Sequence, residues 1–219
     1  MRKLLVAMAL ISGLSSLALG DIAPSERTMR WNWSLQTRYT ASSDISGDYG
    51  VELALADDLG WGFGFDYNFN ERFSLGCLIS WRSISYNAKY FDAGDLINPL
   101  YYSGWLDTGA FAMVGQVNLL PKAITPYVNG TAGWTLIDTN IAASYEVGCW
   151  WDPWWGYICD EYTSNYGTEA FSYGFGAGLR FETAQKLFIQ AGYEMNFLDL
   201  EFTDASAWDI FRVDVGFGN

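Results

Sequence analysis

The sequence of 219 residues contains no histidine. Without imidazole, a Ser-His-acid or Cys-His nucleophilic site cannot be assembled. A carboxylate-only mechanism stays open, but no carboxylate pair stands out, and no catalytic, cofactor-binding or metal-binding residue is expected. Cysteine is scarce as well, with Cys77, Cys149 and Cys159 only. Two cysteines ten positions apart, with no histidine to help, make a poor zinc site. Basic residues are few: twelve Lys and Arg stand against 25 Asp and Glu, for a formal charge of −13. Nucleic acid needs cations on its phosphates, so it is excluded as a partner. Past the N-terminus no run reaches the ~18 unbroken apolar residues of a spanning helix. If the chain meets a bilayer, it must do so as strands.

The N-terminus carries Arg2 and Lys3, an apolar run from Leu4 to Leu19, and small residues at Ala18 and Gly20. This is the pattern of a secretory signal peptide cut after Gly20. A membrane anchor is the alternative, which the short core and the Ala-Leu-Gly exit disfavour. The expected organisation is a signal peptide over residues 1–20 and one domain over 21–219. Cleavage removes two basic residues and no acidic ones, taking the charge to about −15 on ordinary pKa values.

What the chain has in abundance is alternation. Phe171, Tyr173, Phe175, Ala177, Leu179 and Phe181 share one face of a period-two pattern, and Ser172, Gly174, Gly176, Gly178 and Arg180 share the other. A soluble sandwich would turn Lys, Glu and Thr outward. Large apolar groups opposite glycines and a charge suit lipid on one side and a tight polar lumen on the other. Seven further segments read as strands, near 31–41, 59–69, 73–83, 105–119, 126–137, 187–198 and 208–218. In the third, Leu78 breaks the alternation of Phe73, Leu75, Cys77, Ile79 and Trp81. The fourth is the least clean, because Ala110, Ala112 and Val114 blur its contrast.

Most of these segments have about the ten residues needed to cross a bilayer at a tilt. Short connections at 70–72, 120–125 and 183–186 alternate with long ones at 42–58, 84–104 and 138–170, and 199–207 is intermediate. That asymmetry predicts short periplasmic turns and long extracellular loops. Aromatics gather at both strand ends. Trp61, Trp81, Trp105 and Trp208 fall at the long-loop end, and Trp31, Phe69, Phe73, Phe181 and Phe217 at the other. Rings that favour the headgroup layer make two girdles the expected reading.

The stretches Pro126-Tyr127-Val128-Asn129-Gly130-Thr131-Ala132-Gly133-Trp134 and Phe171 to Phe181 resemble the small outer-membrane β-barrels of Gram-negative bacteria, the eight-stranded OmpA/OmpX/OmpW-like group. The resemblance spans the chain after residue 20 and speaks to architecture rather than activity. It implies an all-β fold, an antiparallel transmembrane barrel of about eight strands in the outer membrane. Such barrels usually end on an aromatic residue; here Phe217 is followed by Gly218 and Asn219. The enzymes built on this architecture resemble one another in relying on histidine, which this chain lacks.

Two constellations could carry function. Arg38, Asp66, Arg82, Arg180, Glu194, Arg212 and Asp214 fall on the predicted lumen face. An eight-stranded interior is just wide enough to be filled by side chains, so these charges predict a structural plug, with a narrow channel or gate as the alternative. The second is the segment Cys149–Cys159, which holds Trp150, Trp151, Trp154, Trp155 and Tyr157. In an oxidising compartment Cys149 and Cys159 can pair, while Cys77 serves as a small hydrophobe. Rings on a closed knob could bind a partner protein, a glycan or lipopolysaccharide, or could pack on one another at the interface. Asp44, Asp48, Asp57, Asp58, Asp92, Asp95, Asp160 and Glu161 could hold divalent cations beside lipopolysaccharide phosphates, although none has ligand-loop spacing and a solvated surface is favoured.

The expected protein is therefore a non-enzymatic barrel of the cell outer membrane, with a structural or surface-interaction role carried by its loops. The alternative is a narrow pore or transport protein for ions or small molecules, apolar ones included; a soluble lipocalin-like barrel would place the aromatic face inside. Its partners would be outer-membrane lipid and lipopolysaccharide, and a surface partner or glycan. No cofactor is called for, and a monomer is expected.

Overall fold

A computed structural model describes residues 26–46, 52–92, 95–152, 156–199 and 206–219. The predicted signal segment at 1–20 lies outside the described residues. Ten strands follow in order: β1 (Arg30–Thr40), β2 (Ser43–Ser46), β3 (Glu52–Leu55), β4 (Asp58–Asn68), β5 (Phe73–Asp92), β6 (Asp95–Asn118), β7 (Ile124–Asp152), β8 (Gly156–Glu182), β9 (Leu187–Asp199) and β10 (Ser206–Gly218). All pairings are antiparallel. β1 pairs with both β4 and β10, and β5 pairs with β6, so β1 and β4 through β10 close into an eight-stranded barrel. β2 and β3 form a hairpin that continues the sheet along the upper part of β5, beyond the point where β4 leaves it.

The outward face holds the apolar half of each alternation. Trp33, Leu35, Phe63, Phe111, Met113, Val128, Phe175, Leu179, Val213 and Val215 are all exposed around the wall. A continuous apolar surface of this kind is stable against hydrocarbon, not water, and the inside-out polarity is that of a membrane barrel. Neighbouring strands are stitched on this face by ring pairs. Trp31 stacks on Phe65 at 4.5 Å, and Trp61 on Trp81 at 4.6 Å. Such cross-strand pairs contribute roughly 0.2–1 kcal/mol each and help fix register. Cys77 lies half-buried on this wall, opposite Phe65 and Met113.

The short connections sit at one end. In the β4–β5 turn, Asn70 Oδ1 accepts hydrogen bonds from the backbone N–H groups of Arg72 and Phe73, both at 2.8 Å. An Asx side chain that satisfies the backbone two and three residues on is a compact way to reverse the chain.

The other end corrects the sequence reading. The segments 84–104 and 138–170, expected as loops, are largely β-structure. β5 and β6 stay paired from Phe73↔Val117 up to Phe91↔Pro99, and β7 and β8 from Ile124↔Phe181 up to Asp152↔Gly156. Register shifts interrupt the second ribbon near Asp138 and Ala142. Past Arg82 the outward face turns polar, at Ser83, Ser85 and Asn87, while Ile84, Tyr86 and Leu106 turn inward, so the apolar alternation changes phase as the ladder continues. One further expectation is corrected by parity. Trp208 is only 2% exposed and points into the barrel, on the same face of β10 as Arg212 and Asp214, so it belongs to no girdle. Leu78, the apolar residue that breaks the alternation of β5, is buried on the inner face.

Candidate functional site: a filled lumen and an exposed ribbon end

The interior is layered along the barrel axis. At the turn end, Glu182 on β8 is shared by three arginines. Arg30 is hydrogen-bonded to it, Arg27 Nε lies 3.3 Å from Oε2, and Arg180 Nε lies 3.6 Å from the same oxygen. Arg27 also donates to the carbonyl of Lys122 at 2.7 Å, tying the segment before β1 to the β6–β7 turn. Arg180 lies over the Phe188 ring at 3.9 Å, which shields its flat face.

The middle layer centres on Glu194 of β9. Its Oε1 accepts from Arg38 at 3.1 Å and its Oε2 from Arg212 at 3.3 Å. Arg212 Nε lies 3.6 Å from Asp214, whose Oδ2 accepts from Gln190 at 3.1 Å, and Gln116 donates to Gln190 at 3.0 Å. Asp66 stands nearer the turn end and accepts from Asn32 at 2.8 Å. Arg82 is apart from the network. It donates to Thr108 at 2.9 Å and to Thr40 at 3.0 Å, and it lies over the Trp208 ring at 3.8 Å.

Above Arg82 the chemistry changes. Leu55, Ile84, Tyr86, Leu106, Ile137, Ala170 and Leu198 pack with Trp208 into one apolar cluster across the ribbon end of the lumen. Leu55 comes from the β2–β3 hairpin, so that hairpin contributes to the cap.

The inward glycines do not leave a path. A Cβ on Gly178 would stand 2.6 Å from the Tyr127 hydroxyl, one on Gly174 would stand 2.9 Å from Thr131 Oγ1, and one on Gly176 2.9 Å from Asn129 Oδ1. Those side chains occupy the room the glycines provide. A cavity of about 20 Å³ beside Arg38, Arg82 and Asn196 has room for about one water molecule.

Of the sequence-derived lumen charges, Arg38, Glu194, Arg212 and Asp214 meet in one network, while Asp66, Arg82 and Arg180 have separate partners. Arg27, Arg30, Glu182, Tyr127 and Trp208 were not among the residues expected there. For Tyr127 and Trp208 the signal was present, since each has the parity of inward polar neighbours, Asn129 and Arg212.

At the far end of the β7–β8 ribbon, the register sets Cys149 opposite Cys159, Trp150 opposite Ile158, Trp151 opposite Tyr157 and Asp152 opposite Gly156. Directly opposed residues of an antiparallel pair have Cα separations compatible with a disulfide. Trp151 is 71% exposed. Trp154 and Trp155 lie outside the described residues.

The sequence matches no family model and no curated relative. Among solved structures the chain is similar to Neisserial surface protein A, with 9% identity and a TM-score of 0.48 over 86% of this chain and 95% of that one. It is similar to the outer membrane protein OprG of Pseudomonas aeruginosa, with 12% identity and a TM-score of 0.48 over 88% and 95%. It is also similar to Ail, the attachment invasion locus protein of Yersinia pestis, solved with the heparin analogue sucrose octasulfate, with 16% identity and a TM-score of 0.47 over 88% and 99%. At such identities the likeness is one of general architecture alone.

Proposed function

We propose that this chain is an outer-membrane barrel whose lumen is a structural plug and whose work is done at the cell surface, without catalysis, by its ribbon end. The observation that carries this reading is the interior. Charged layers, inward Tyr127 and Phe188, and the apolar cap occupy the lumen where a pore would need a continuous channel. The ribbons β5–β6 and β7–β8 project from the capped end, and Trp151 is exposed near the tip of the second. Rigid aromatic residues bury large areas at low entropic cost, which suits a contact surface for a partner protein or glycan. A Cys149–Cys159 bond would hold that tip closed.

Planar-bilayer recording tests the plug. Purified, refolded protein is expected to give no discrete ion currents; reproducible unitary currents would replace this reading with that of a narrow pore.

A further inference from the structure

The ribbon end carries a second feature, on the outer wall. Two register rows cross neighbouring strands there. One runs Trp61, Trp81, Gly109, Leu136, Glu169; the next runs Ser83, Asp107, Asp138, Gly167. The first begins with the stacked tryptophans and then drops to hydrogen at Gly109; the second drops at Gly167. A groove of about 1030 Å³ opens at this level, lined by these residues and, from the alternate positions, by Asp58, Arg82, Thr108 and Ile137. That is at the upper end of the roughly 300–1,000 Å³ typical of small-molecule pockets, so it has room for several side chains rather than one small headgroup.

Its charge is predominantly acidic: Asp58, Asp107, Asp138 and Glu169 line it against one cation, Arg82, which is held by Thr108, Thr40 and the Trp208 ring. Asp107 and Asp138 are directly opposed across β6 and β7, both exposed, at the ~5 Å spacing of neighbouring strands. Like charges placed so repel and weaken the sheet. No described Lys or Arg is paired with either, or with Glu169. The basic residues are elsewhere. Arg72, Lys122 and Lys186 stand in the turns at the opposite end. Arg27, Arg30, Arg38, Arg180 and Arg212 are buried in the interior, half-buried Arg82 is bonded to Thr108 and Thr40, and Lys89, on the ribbon, is bridged to Glu52 at 3.2 Å.

We infer that this groove docks an amphipathic cationic peptide segment of a partner protein. Apolar side chains of that segment would rest on Trp61, Trp81 and Leu136, and Lys or Arg residues spaced about one strand apart would meet Asp107, Asp138 and Glu169. Charge complementarity selects this occupant over an anionic lipid, which these carboxylates repel. The inference rests on the reading that the ribbon end faces the cell exterior, but it uses the barrel wall and not the tryptophan tip.

The full chain in zwitterionic nanodiscs, titrated with a fluorescent peptide of alternating Lys and Leu, tests it by anisotropy, with empty discs subtracted. Saturable binding that weakens with added salt is expected. Two variants remove the site in different ways. Combined Asp107→Asn, Asp138→Asn and Glu169→Gln removes the charge, and is expected to weaken binding about tenfold, as three exposed ion pairs together allow. Gly109→Phe fills the groove. A Cβ there meets only the Trp81 ring, at 3.8 Å, so the barrel keeps its fold, which the gel mobility of unheated protein checks. It should weaken binding without altering the charge. Trp151→Ala should leave binding unchanged. Equal binding by wild type and both variants overturns the inference. So does a result in which the charge variant loses only magnesium-dependent retention of lipopolysaccharide, because the occupant is then a lipid. Impermeant labelling of Trp151→Cys on intact cells separates the two failures. A labelled tip with no peptide binding sinks the groove alone, whereas an unlabelled tip sinks the surface reading beneath it.

Discussion

The two ends of the lumen are closed by opposite chemistry. At the turn end and the middle, arginines are shared among Glu182, Glu194 and Asp214. At the ribbon end, Trp208 and its apolar neighbours do the same job with no charge at all, and Arg82 sits on the boundary with its cation on the indole. The difference teaches how a single-layer barrel can be filled. A charged layer fixes geometry through directional bonds but leaves an unpaired charge when one partner is lost. An apolar layer excludes water by shape and, when trimmed, leaves only a cavity.

That contrast breaks first at Glu194, which serves Arg38 and Arg212 together. Glu194→Ala strands two buried cations and is expected to destabilise the barrel by about 3–5 kcal/mol in urea unfolding from lipid vesicles. Glu194→Gln should lose less, because it keeps a hydrogen-bond acceptor; if the two variants unfold alike, the network is not held by charge. In the apolar layer, Leu198→Ala leaves a void in a fully buried site and should lose about 3 kcal/mol in the same assay. A loss below about 1 kcal/mol would mean that the cap collapses onto the gap and is loosely packed. The smallest effect belongs to the ribbon outside both layers. Lys89→Ala removes an exposed bridge to Glu52 and should shift unfolding by less than about 1 kcal/mol. A larger shift would show that the β2–β3 hairpin is clamped to β5 by charge as well as by its ladder.

Much of the barrel wall is legible residue by residue. Phe171 to Phe181 alternates so cleanly because lipid and lumen demand opposite side chains at every second position. Trp208 was misplaced by its position near a strand end, although its parity with Arg212 and Asp214 assigns it inward. The ribbons were unreadable as strands for a different reason. Hydrogen-bonded ladders are made by backbone, and past the bilayer the apolar positions change phase, with Ile84, Tyr86 and Leu106 buried inward instead of facing lipid. The clustering of Glu182 with Arg27, Arg30 and Arg180 had no local signal either, since the residues lie about 150 positions apart along the chain for the first two.

The sequence by itself determined that this chain makes strands, which face of each meets lipid, and which end bears short turns, because those properties follow from the period of two and from turn chemistry within a few residues. How side chains fill the lumen was set only in three dimensions. Tyr127 fits over Gly178 and Gly192 because β7 pairs with β8 at Tyr127↔Gly178, and β8 with β9 at Gly178↔Gly192. That alignment is a property of barrel closure and register, which bring together positions that no local pattern relates. The glycine face, read in the sequence as one side of a tight lumen, is in the folded barrel the space into which neighbouring strands place Tyr127, Asn129 and Thr131.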